Sequence, residues 1–111
     1  MPVEATARNL KGSAKKYRRV VNLIRGRRVD EALGLLRLQP SSMAGSVAKV
    51  VQSAASNAEN NDMMDARQLR ITGAFANEGP QAKRMRPQSR GRIVRIIKRR
   101  THVTIIVDEE A

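Results

Sequence analysis

The chain has 111 residues, 22 Lys or Arg against 10 Asp or Glu, a formal net charge of +12, and only one Phe and one Tyr. That length suits one modest domain, 41% apolar residues exclude disorder by composition, and the charge excess calls for a polyanion, nucleic acid ahead of an anionic membrane surface. The absence of cysteine excludes disulfides and thiolate metal sites; with no bilayer-length apolar run and no signal-like segment at residues 1–10, a soluble intracellular protein is expected.

From the N-terminus, Val3, Ala5 and Ala7 alternate with Glu4, Thr6 and Arg8, the period of a half-buried strand. Gly12 and Ser13 mark a boundary, with Ser13 as an N-cap. Residues 14–25 predict a helix whose inward face is Ala14, Tyr17, Val20, Val21 and Ile24, with Lys15, Lys16, Arg18, Arg19 and Arg25 on the other side. Gly26 closes it in the left-handed conformation, and Arg27 and Arg28 keep the turn basic. Asp30 and Glu31 suit a second helix N-terminus, followed by an apolar set of Ala32, Leu33, Leu35, Leu36 and Leu38 that Pro40 stops. Ser41 or Ser42 caps a third helix over 43–59, with Met43, Val47, Val50, Val51, Ala54 and Ala58 inward, ended by residues 60–62.

Leu69, Ile71, Gly73 and Phe75 then alternate with Arg70, Thr72 and Ala74 as a strand interrupted at residues 78–80. Val103, Ile105 and Val107, alternating with His102, Thr104 and Ile106, give the clearest strand. No internal repeat or Gly/Ser linker interrupts this order, which predicts one α+β domain with helices on one face of a small sheet.

Between the last two strands lies KRMRPQSRGRIVRIIKRR, residues 83–100, with nine Lys or Arg and no acid. Residues 79–107 hold +9 of the net charge; the rest holds thirteen basic against ten acidic residues. An antiparallel connection makes this stretch an extended hairpin turning at residues 87–91, with arms reaching about 20–30 Å from the sheet. The globular core is then about 1–79 and 101–111, and the arm about 80–100. Ile93, Val94, Ile96 and Ile97 leave no clean apolar face, so the arm cannot pack on its own domain and gains order against something large and anionic. The alternative is a solvated basic loop.

The first helix, with Arg8, Lys11, Arg27 and Arg28, forms a second basic patch; phosphate binding competes here with an ordinary charged solvent face. Residues 83–100 contain no aromatic, and the one in the first helix, Tyr17, is on its inward face, so recognition of backbone and shape is expected rather than base stacking. His102, the lone histidine, suits a structural or phosphate-contacting role. Glu59, Asp62 and Asp65 are the nearest thing to an acid cluster, and helix-end and turn chemistry explains them better than a metal. No glycine loop for phosphates is present. Neither catalysis, metal nor cofactor is expected.

The stretch EGPQAKRMRPQSRGRIVRIIKRRTHVTIIV, supported by SAKKYRRVVNLIRGRRVDEAL and VVQSAASNAENN upstream, resembles the large-subunit ribosomal protein twenty-two family, in its compact bacterial form. The resemblance implies three helices on a three-stranded antiparallel sheet, plus a long hairpin between the last two strands. It implies a cytoplasmic, non-enzymatic constituent of the large subunit, neither membrane-bound nor a homo-oligomer. Its partners would be 23S-type rRNA, neighbouring ribosomal proteins and the nascent polypeptide, with a part in subunit assembly. The rRNA-binding set becomes Arg8, Lys11, Lys15, Lys16, Arg18, Arg19, Arg25, Arg27 and Arg28, then Lys83, Arg84, Arg86, Arg90, Arg92, Arg95, Lys98, Arg99, Arg100 and His102. The tip lining the exit tunnel would be Arg84, Met85, Arg86, Pro87, Gln88, Ser89, Arg90, Gly91 and Arg92. The chain departs from the family pattern at Gln88 and Ser89, where Arg-Ala is common, at Ile93, where Ala is common, and at Arg100, where an uncharged residue is common. A sequence-tolerant RNA-chaperone module is the competing function.

Overall fold

The computed structural model describes residues 2–61, 63–80, 82–87 and 93–109, with only the backbone described at 66 and over 82–87 and 93–97. Gln88, Ser89, Arg90, Gly91 and Arg92 of the expected tip, and Asp62 of the acid cluster, lie outside the described residues. The order is β1 (Val3–Lys11), α1 (Ala14–Ile24), α2 (Val29–Leu38), α3 (Ser42–Asn61), a short 3-10 turn (Ala66–Gln68), β2 (Leu69–Glu78), β3 (Ala82–Pro87), β4 (Ile93–Lys98) and β5 (Arg100–Glu109). The expected α+β architecture holds: β1, β5 and β2 form an antiparallel sheet in that order, and β3 with β4 forms a separate antiparallel ribbon between β2 and β5.

The helices form where apolar periodicity demands. On α1 the buried residues are Ala14, Tyr17, Val20, Val21 and Ile24, the stripe expected from the sequence. Gly26 leaves the helix with φ of +82°, the left-handed exit that a residue without Cβ adopts freely. Ser13 occupies the N-cap position but makes no side-chain capping bond; its carbonyl accepts from the N–H groups of Lys16 and Tyr17 instead. Ser41 does cap α3, its Oγ accepting from the Met43 N–H at 3.2 Å. On α2, Val29, Ala32 and Leu36 are buried whereas Leu38 is 80% exposed, because two positions beyond Leu36 the helix has turned to its opposite face. Met43 is only half-buried, and Ala44 takes its place on the inner face of α3.

β5 is the straight central strand, with Thr101, Val103, Ile105 and Val107 inward without a break. Both neighbours carry one extra residue against it. The β1 register slips between Ala7 and Leu10, where Asn9 has φ of +60°, and the β2 register slips between Ile71 and Gly73. A bulge reverses the alternation beyond it. Ala74 and Ala76 therefore point into the core, and Phe75, expected inward with Leu69 and Ile71, lies 46% exposed on the outer face.

The core is built of Val, Ile, Leu and Ala with one aromatic, Tyr17. Its hydroxyl donates to the Lys11 carbonyl at 2.7 Å. Burial raises the phenol above its ordinary value of 10.0, partly offset by a hydrogen bond with Ser46. The unfolded chain thus ionises first, and this contribution to stability is complete below pH about 10 and falls as pH rises towards the folded value. In urea titrations from pH 8 to 12, wild type should lose stability faster than Tyr17→Phe; parallel curves would contradict the assignment. At neutral pH the same substitution should cost about 1 kcal/mol for the missing hydrogen bond.

Candidate nucleic-acid interface

The expected contact positions with described side chains are accessible. Arg8, Lys11, Lys15, Lys16, Arg18, Arg19, Arg25, Arg27, Arg28, Lys98 and Arg99 are exposed, and Arg100 and His102 are half-buried. The fold brings the two basic regions of the sequence together at the root of the ribbon. Lys15 and Arg18 from the start of α1 share one cleft with Arg99, Arg100 and a single acid, Glu78. Lys11 and Lys98 share the adjoining cleft with Arg99 and Arg100. Lys16 and Arg19 face a separate cleft beside Ser41, Ser42 and Met43. Arg27 and Arg28 sit at the far end of α1, away from the root.

Backbone and hydroxyl bonds fix this root. Gly12 N–H donates to the Arg99 carbonyl at 3.2 Å, and Gly79 N–H to the Arg100 carbonyl at 2.8 Å. Thr101, the buried polar residue of the core, donates its hydroxyl to the Gly12 carbonyl at 2.9 Å. From the Gly79–Arg100 bond to the Ala82–Lys98 pair, the incoming side carries one more residue than the outgoing side. His102 Nδ1 accepts from the Asn9 N–H at 3.1 Å, which leaves the proton of the neutral ring on Nε2.

The ribbon's register explains how so much charge fits two paired strands. Ala82 opposes Lys98, Lys83 opposes Ile97, Arg84 opposes Ile96, Met85 opposes Arg95, and Arg86 opposes Val94. Each of these pairs sets one cation against an apolar residue, so the destabilising juxtaposition of like charges is avoided in all of them. The β-branched residues favour the extended backbone, while neither ribbon face is purely apolar.

Three of the expected contact arginines also hold the fold. Arg18 Nε donates to the Ala76 carbonyl at 3.1 Å, and Arg25 Nη2 donates to the Ala74 carbonyl. Together with the Gly26–Ile71 and Ile71–Arg27 backbone bonds, they close the outer edge of β2, which otherwise offers a template for unwanted strand pairing. Arg27 Nε donates to the Leu23 carbonyl at 2.9 Å in the last turn of α1. A guanidinium has five donors, so each retains groups for a phosphate while its position is fixed. Arg25 also stands 5.8 Å from the centre of the Phe75 ring. Tyr17, the aromatic within the α1 basic stretch, is buried, but the fold places Phe75 in the basic surface.

Asp65 and Glu109 serve local structure. Asp65 accepts from the Arg67 N–H at 3.0 Å, and the Asp65 N–H donates to Glu109 at 2.8 Å. Among the described residues no group of three His, Cys, Asp or Glu comes together, and no helix is long and apolar enough to cross a membrane.

A small α+β body that gathers cations from β1, α1 and β5 around the root of an acid-free ribbon matches the arrangement implied by the signature stretch. The family model described as ribosomal protein L22p/L17e matches residues 5–108, nearly the whole fold from β1 to β5, and the chain therefore belongs to that ribosomal protein family of the large subunit.

Proposed function

We propose that this constituent of the large subunit binds rRNA through its ribbon root and α1 face, and threads residues 80–100 through the rRNA so that residues 84–92 line the nascent-chain tunnel. The observation carrying the proposal is the ribbon: an acid-free, cation-against-apolar ladder rooted in a cluster of Lys11, Lys15, Arg18, Lys98, Arg99 and Arg100. Among the described strands, β3 and β4 pair only with each other. The chain's radius of gyration is 17.0 Å with extents of 64 × 26 × 17 Å, against roughly 13 Å for a compact domain of this length. Phosphates neutralise the cations with release of counterions, and the interleaved aliphatic residues fill the space between RNA surfaces. An arm that bridges separate rRNA segments also supports an assembly role. The chain acts by binding and shape rather than by catalysis.

Sedimentation at moderate salt tests the proposal. One copy should travel with each large subunit and none with free small subunits. Even distribution over bulk RNA would instead favour the sequence-tolerant RNA-chaperone function and overturn this one.

A further inference from the structure

We propose that Phe75 and Arg25 form a stacking platform for one unpaired nucleobase of the rRNA, on the face of the sheet opposite the core. The platform rests on the rRNA-binding role proposed above. Phe75 is the only Phe in the chain, and the bulge between Ile71 and Gly73 turns it out of the core to 46% exposure. Bulges re-aim side chains at functional sites. The ring is held rather than loose. It lies so close over Gly73 that a Cβ there would sit 3.1 Å from its Cε2. Arg25, 5.8 Å from its centre, is itself tied to the Ala74 carbonyl.

An aromatic ring with a guanidinium standing over it combines the two kinds of surface on which splayed-out bases stack. The same face supplies groups for a base edge. Thr104 opposes Phe75 across the sheet, and His102 opposes Asn77 one step along. Thr104 hydrogen-bonds Thr6 at 3.1 Å. With Nδ1 of His102 occupied by Asn9, the donor of the neutral ring is its Nε2–H. The surroundings favour a nucleotide over a protein neighbour. A protein-docking face presents a contiguous apolar patch with few charges at its centre. Here Thr104 opposes the ring across the sheet, Ile106 and the ring both close over Gly73, and a cation stands over the ring.

The test compares the unaltered chain, Phe75→Leu and Phe75→Trp for binding to transcribed large-subunit rRNA across a salt series, with circular dichroism as a folding control. Phe75→Leu should weaken binding roughly five- to 150-fold, the range for removal of one stacked base, without changing the salt slope. Phe75→Trp should bind at least as tightly as wild type. In assembled subunits, ultraviolet crosslinking should yield a peptide–nucleotide adduct at Phe75. Wild-type affinity for Phe75→Leu, or equal losses for Leu and Trp, would overturn the platform while leaving the rRNA-binding role standing. Undiminished rRNA affinity in Phe75→Leu combined with weakened incorporation beside other ribosomal proteins would make the face a protein contact and also overturn it. No binding by the unaltered chain would remove both proposals.

Discussion

Replacing the nine basic residues between 83 and 100 with glutamine should flatten the salt dependence of rRNA binding and leave the globular part folded. A protein making six to ten phosphate contacts loses about 10³–10⁵ in affinity between 50 and 200 mM salt. The substituted chain, keeping only the α1 patch with Arg8 and Lys11, should show a much shallower slope, smaller by about 0.7–0.9 for each phosphate it no longer neutralises. Filter binding across that range measures it directly. The folding half of the expectation follows from where the core lies. Its described buried residues come from α1, α2, α3, β2 and β5. Removing repulsion among nine cations should if anything raise the thermal midpoint. An unchanged salt slope would assign phosphate binding to the α1 face alone. A collapse of the circular dichroism signal would mean that the ribbon and the body are one folding unit.

Gly12→Ala should cost about 2–4 kcal/mol, combining a backbone strained for an L-residue with an overpacked contact. Gly12 has φ of +120°, and a Cβ there would lie 2.6 Å from Met43 Cε and 3.2 Å from Tyr17 Cε2. The Met43 tip can swing aside, but the φ value and the Tyr17 ring cannot adapt so easily, since the Tyr17 hydroxyl is tied to the Lys11 carbonyl. The same residue donates to the Arg99 carbonyl and accepts from Thr101, so the strain falls on the joint from which the ribbon leaves. Thr101→Val tests the joint without backbone strain. It removes the donor to a carbonyl that is part-buried and should cost about 1–3 kcal/mol. Urea unfolding of both variants checks the order; a Gly12→Ala chain as stable as wild type would contradict the assigned joint.

Much of the fold was legible because its periodicities are unbroken. The α1 stripe and the alternation of β5 map onto burial residue by residue. The placement of Phe75 was not, because a bulge between Ile71 and Gly73 reverses the alternation; Gly73 within LRITGAF is its one sequence signal, and the unbroken alternation around it hides the slip. The basic surface was legible as charge but not as arrangement. Arg18 and Arg25 look like plain solvent-facing cations on a helix, and only the position of the β2 edge shows that they also seal it. The joint at Gly12 escaped for a related reason: its partners Arg99 and Thr101 are nearly the whole chain away. The ribbon shows the opposite relation. Its lack of an apolar face counts against a hairpin until the register is known, and the register then explains it, with each cation set opposite an apolar residue.

The central claim is that the ribbon, rooted in this body, is an rRNA-binding arm. Hydroxyl-radical footprinting of large-subunit rRNA in the presence of the full chain and of a chain lacking residues 81–98 tests it most directly. The account predicts two groups of protected nucleotides, one shared by both chains and contacted by the α1 face, the other absent without the ribbon and lying along the exit tunnel. Identical protection patterns for the two chains would contradict it.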